Sequence, residues 1–173
     1  MKNKDLVYMA VYIALALVLD YVSQLIPFLQ MPQGGSINLA VIPVIISSYH
    51  LGWKKGLSIG FMWWIVGFLF LGLNRWYLNP MQYLFDYIIP ALVLGLACLF
   101  HNNYVGTSVT VAIRFLSTLI SGALYWPPEG ALAGSQAAWI GSFTYNLYYN
   151  LGTLVVALIL VPILMKRVKF LNN

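Results

Sequence analysis

Residues 6–26 carry a single charge, Asp20. Wound as a helix at about 1.5 Å per residue, such a run spans the roughly 30 Å of bilayer hydrocarbon. Lipid cannot hydrogen-bond a peptide group, so a chain made of such runs must close its backbone bonds within helices. Five more apolar stretches follow, at 37–51, 56–73, 80–100, 105–126 and 137–165. Only 8% of the residues are charged, against about 25% in soluble domains, and that difference sets the class. The pattern predicts an all-α integral membrane protein with six transmembrane helices in one domain, 1–173. No segment between the runs is long enough for a second core. The first run has no small-residue cleavage site after it and is expected to stay as a helix. Within it, Ala10 and Ala14 lie one turn apart and permit close approach of another helix. Asp20 is expected at the membrane interface. Pro43 and Pro90 are expected to kink their helices.

With six spans both termini share one side. That side collects Lys2, Lys4, Lys54, Lys55, Lys166, Arg167 and Lys169, while the opposite loops hold Arg75 and Glu129. Lysine and arginine concentrate on the cytoplasmic side of membrane proteins. Both termini are therefore expected in the cytoplasm, with loops 28–36, 74–79 and 127–136 outside. The net charge of +5 follows from these loops and is no nucleic-acid signal. Cys98 stands alone, so neither an internal disulfide nor a thiolate metal cluster is expected. The chain has no P-loop, GxSxG, HExxH or dinucleotide fingerprint. His50 and His101 fall on the cytoplasmic side. No catalytic residue, metal or cofactor is predicted, and any ATP-driven step would need another protein.

The chemistry gathers around NPMQYLFDYIIP, residues 79–90. Pro80 suits the first turn of a helix, and Asp86 comes about two turns later. A carboxylate in hydrocarbon is costly unless it is compensated. Gln82 precedes Asp86 by four residues and shares its face; Tyr83 and Tyr87 form a second pair beside it. Two partners are open to Asp86: the buried Arg114, or a polar, cationic ligand. On the sixth span Ser142, Asn146, Tyr149, Asn150 and Thr153 recur at helical spacing, a polar stripe expected to face the bundle interior. Asp86, Thr118, Trp126 and Asn146 all fall in the outer half of the bundle by residue count. Above them lies the uncharged loop PQGGS, with Pro32, Gln33, Gly34, Gly35 and Ser36 as a candidate lid. Trp76 sits in the next outer loop. An acid, an indole and an amide at one depth describe a small-molecule pocket, in which the indole would stack on a flat or cationic ring.

Four stretches carry a resemblance: MPQGGSINLAVIPV at 31–44, LGWKKGLSIG at 51–60, NPMQYLFDY at 79–87 and SFTYN at 142–146. Over almost its whole length the chain resembles the thiamine-specific substrate-binding subunits, or S components, of energy-coupling factor (ECF) transporters, the ThiT/YuaJ family. The resemblance implies the six-helix S-component fold in a bacterial cell membrane. It implies a subunit that binds thiamine from outside and works with a transmembrane scaffold and two ATPases. It assigns ligand-binding roles to Asp86, Tyr87, Trp126, Asn146 and Trp76, with Gln82 beside Asp86. It makes Ala10 and Ala14 the scaffold contact. Two positions depart: a pocket histidine of the family is Thr118 here, and a pocket tyrosine is Gly141. Smaller side chains there reshape the site and keep pyridoxine or a hydroxymethylpyrimidine as alternative ligands. A ligand-free membrane assembly subunit is the reading from another class.

Overall fold

A computed structural model describes residues 3–32, 34–72 and 76–171, with side chains through residue 168. Lys2, Gln33 and Arg75, and the side chain of Lys169, lie outside the described residues. Six helices follow one another: α1 Asn3–Leu25, α2 Val41–Leu51, α3 Trp53–Phe70, α4 Pro80–Leu99, α5 Asn103–Tyr125 and α6 Gln136–Leu171. Four of them, α1, α4, α5 and α6, are long and apolar enough to cross a membrane. The 11 residues of α2 reach only about 16 Å. Pro43 lies in the first turn of α2, where no intrahelical N–H bond is lost, so it opens the helix instead of kinking it. Gly52 alone separates α2 from α3, at φ 88°, a conformation a side chain would oppose.

The half of the bundle nearer the termini is closed by small residues. A methyl group on Gly95 of α4 would run into the backbone of Gly56 and Leu57 on α3, and one on Gly106 of α5 into the Ala97 carbonyl. Backbones in contact leave no room for solvent, and dispersion between them supplies the attraction that lipid does not. Ile45, Ile59, Leu94 and Val161, all 0% exposed, fill the space alongside. At the rim Lys55 Nζ meets Asp5 Oδ2 at 2.9 Å; with both side chains over a quarter exposed, this pair contributes at most about 1 kcal/mol.

Helix α4 changes register where Asp86 sits. An α-turn at Pro80–Tyr83 gives way to a π-turn at Leu84–Ile88, then to α at Ile89–Val93 and a 3₁₀ stretch at Leu94–Leu99. Pro90 explains the shift, because it cannot donate to the carbonyl of residue 86. One residue earlier the Ile89 N–H reaches back to the Leu84 carbonyl. The Phe85 carbonyl is thereby freed, since its π-register donor would be the proline. The Ser117 hydroxyl of α5 donates to it at 2.6 Å. The expected kink is thus absorbed as a π-turn, a device common at functional sites.

Candidate functional site

A cavity of about 870 Å³ opens at the end of the bundle away from the termini. The three loops assigned above to the outer side all contribute to its wall: Met31 and Gly34–Ser36 from the first, Trp76 from the second, Pro127–Glu129 from the third. Helices α1, α3, α4, α5 and α6 supply most of the remainder, with Asn38 from the segment before α2 and Gly72 from just after α3.

Asp86 is held from two sides. Gln82 Nε2 donates to its Oδ2 at 2.6 Å, and Trp126 Nε1 donates to the same oxygen at 3.1 Å. Gln82 is 0% exposed and is itself fixed: its Oε1 accepts from the Leu78 N–H at 2.9 Å, and its Nε2 also reaches the Trp76 carbonyl. The turn that carries it is capped by Asn79, whose Oδ1 accepts the Gln82 N–H at 2.9 Å. Gln82 therefore acts through Asp86 and does not line the cavity. Asp86 Oδ1 accepts no hydrogen bond from the described residues. Ser121 lies near enough to act on the carboxylate, but its hydroxyl has no partner. The indole planes of Trp126 and Trp76 stand at 88°, centroids 6.3 Å apart, and Tyr87 completes this aromatic corner of the cavity.

The loop at 31–36 folds through its own backbone. Met31 N–H donates to the Gly35 carbonyl at 2.6 Å, Gln30 and Ser36 form a single antiparallel bridge, and the Gly35 N–H donates to the Tyr145 hydroxyl of α6 at 3.1 Å. Gly34 has φ 95° and lies so close to the Trp76 indole that a Cβ would strike it. The loop thus rests on Trp76 and Tyr145, two aromatic residues of the cavity wall. Gln33 falls outside the described residues.

On α6 the whole polar stripe is buried. Tyr149 donates from its hydroxyl to Asn146 Oδ1 at 2.5 Å, and the Asn146 amide donates to the Ser142 carbonyl at 2.9 Å. Thr118 lines the cavity and turns its hydroxyl to the carbonyls of Arg114 and Phe115. Gly141 does not line the cavity. Pro128 occupies the space where its side chain would begin, and this seats the loop that brings Glu129 to the mouth. A missing ring at 141 is therefore filled by the loop and does not enlarge the site.

One expectation is corrected and one of the two alternatives for Asp86 falls away. Asp20 is not at the interface: it is 2% exposed, takes hydrogen bonds from Trp63 and Asn38, and lines the cavity. Arg114 does not pair with Asp86: its charge acts on Asp20. Sequence reasoning missed Asp20, Asn38, Trp63 and Tyr145. A signal existed for Asp20, because an acid within an apolar run is expensive wherever it sits. Trp63 and Asn38, by contrast, carry no local mark.

Among the described residues the cavity wall so built carries three carboxylates, Asp20, Asp86 and Glu129 at the mouth, and one guanidinium, Arg114, among aromatic and amide groups. It suits a small ring-bearing molecule with net positive charge, and it offers neither a nucleophile–base pair nor, among the described residues, a metal-binding cluster. The family described as thiamine transporter protein matches residues 6–173 of the chain. The thiamine transporter ThiT of Bacillus subtilis (strain 168) is 29% identical over 179 aligned positions, covering 92% of this chain and 88% of that protein. The pantothenic acid transporter PanT of Lactococcus lactis subsp. cremoris (strain MG1363) is 27% identical over 147, covering 83% and 68%. The solved structure of ThiT from Listeria monocytogenes superposes with a TM-score of 0.77 at 23% identity, covering 94% of this chain and 93% of that one; the two share a fold. By a match over nearly its whole length, and as a multi-pass membrane transport subunit, the chain belongs to the thiamine transporter protein family.

Proposed function

We propose that this protein is the thiamine-binding S component of an ECF-type importer in a bacterial cell membrane. Thiamine enters from outside under the lid at 31–36. The observation that carries the reading is the charge of the cavity wall. Among the described residues the wall sets Asp20, Asp86 and Glu129 against the single cation Arg114, and Asp86 is held only by the neutral donors Gln82 and Trp126. A thiazolium supplies a positive charge beside Asp86 and a flat face for the indoles. Pantothenate, named for one relative, is an anion and meets the wrong sign at Asp86. Pyridoxine and hydroxymethylpyrimidine lack a fixed cation.

Transport needs further subunits. The chain has no nucleotide motif, and Ala10 and Ala14 of α1 form an exposed small-residue patch toward the terminal, cytoplasmic end. Their exposure leaves both side chains outside the packed interior and supports docking of a scaffold that carries two ATPases. Energy from those ATPases would then reorient the loaded S component and release the vitamin inside.

Tryptophan fluorescence of the purified chain tests the ligand. Titration with thiamine should quench emission, while pyridoxine, hydroxymethylpyrimidine and pantothenate should bind far more weakly. Asp86→Asn should weaken thiamine more than tenfold, since a charge-assisted contact contributes about 1.5–3 kcal/mol and tenfold is about 1.4. The thermal unfolding of that variant without ligand should barely move. Silence toward all four compounds, or a response to any of the other three alone, would sink the thiamine assignment.

A further inference from the structure

The end of the cavity away from Trp126 has a polar pair of its own. Asp20 of α1 accepts from Trp63 Nε1 at Oδ2 and from Asn38 Nδ2 at Oδ1, both at 3.0 Å, with Gln24 Nε2 at 3.4 Å. Every one of these donors is neutral. Arg114 of α5 is 8% exposed, and its Nε and Nη1 are buried without a hydrogen-bond partner. The two charges act on each other, yet no ion pair closes between them. Both side chains line the cavity. A buried guanidinium with unused donors is unfavourable on its own. With both groups on the wall of one cavity and no ion pair between them, the guanidinium and the carboxylate are completed by a group that accepts from the one and donates to the other.

We infer that the gap between Asp20 and Arg114 is a second ligand subsite, for a neutral group that donates to Asp20 and accepts from Arg114. The inference rests on the thiamine reading and adds which parts of the ligand are recognised. An anionic group is opposed by Asp20 and a second cation by Arg114, so the group is neutral. The indole of Trp63, bonded to Asp20, lines the same end and favours a flat group there. Reach is adequate. Ser117 ties α5 to α4 beside Asp86, and Arg114 lies three residues, about 4.5 Å, further along α5. One small molecule can place its cationic ring at Asp86 and a second polar group in this gap. Thiamine has two such groups, the amine and ring-nitrogen edge of its aminopyrimidine and the hydroxyl of its hydroxyethyl arm.

Calorimetric titration of the full chain with three ligands separates them: thiamine, oxythiamine, and an analogue with ethyl in place of hydroxyethyl. Oxythiamine exchanges the amine for a carbonyl and inverts the donor and acceptor edge. One of the two analogues should bind at least about tenfold more weakly than thiamine, which identifies the group. In Asp20→Asn/Arg114→Gln that ratio should fall to about threefold or less. If the double variant does not stay monodisperse, Arg114→Lys, which keeps the charge and loses the forked donors, should narrow the ratio in the same direction. Equal affinities for all three ligands, or an unchanged ratio in a folded variant, would overturn the subsite alone. Failure of thiamine itself to bind would overturn the thiamine reading and the subsite together.

Discussion

The two halves of the bundle solve opposite problems with the same helices. Toward the termini, α3, α4 and α5 touch backbone to backbone through Gly56, Gly95 and Gly106, and the interior is filled by Ile45, Ile59 and Leu94. Toward the loops the same helices carry Trp63, Asp86, Arg114 and Trp126, which cannot interdigitate in this way, and about 870 Å³ stays open. Small residues close a membrane bundle by letting dispersion act at short range. Large polar residues hold it open when they are tied down elsewhere, as Asp86 is by Gln82 and as Asp20 is by Asn38 and Trp63. A transport subunit needs both: a rigid closed end, and an open end whose walls are fixed before the ligand arrives.

The comparison breaks most severely at the closed end. Gly95→Val would drive a branched side chain into the Gly56 and Leu57 backbone, with neither partner free to move. Overpacking typically costs about 1–3 kcal/mol, and backbone obstruction places this change at or above the top of that range. The expected outcome is a large fall in unfolding temperature in detergent, with ligand binding lost only because the fold is lost. Unchanged melting would show that the helices do not depend on this contact.

A smaller effect lies on the boundary between the halves. Ser117→Ala removes the hydroxyl that satisfies the Phe85 carbonyl freed by the π-turn. Leaving a buried acceptor unpaired costs about 1–3 kcal/mol. Because that carbonyl belongs to the residue before Asp86, thiamine affinity should fall severalfold along with stability. Ser117→Thr, which keeps the hydroxyl, should recover both. Loss of stability at full affinity would mean that the turn is structural and does not position Asp86.

The smallest effect within the chain is expected on its outer surface. Ala10→Trp with Ala14→Trp adds bulk to an exposed patch of α1 and touches neither half of the interior. Vitamin titration should give a near-normal curve, while pull-down of the ATPase module and uptake in cells should both disappear. Intact co-purification would move the docking surface elsewhere on the protein.

Much of this was readable along the chain, and the reason is range. Asn79 capping Gln82 and Gln82 bonding Asp86 are contacts between residues three and four apart, which helical geometry dictates before any packing occurs. The polar stripe on α6 is legible for the same reason. Hydrocarbon set the helix count and the outward loops, because charge is too costly to hide and collects where water is. The second pole of the cavity was not readable in this way. Asp20, Asn38, Trp63 and Arg114 come from three helices and the segment before α2, and only the angles at which those elements cross bring them together. Nor does the residue at 141 say that Pro128 will fill its place, since that depends on how a loop returns across the bundle. Local spacing determined the membrane fold and the Asp86 end of the site. Tertiary packing decided which charge answers which, because a Coulomb interaction between distant residues exists only once the fold has set the distance.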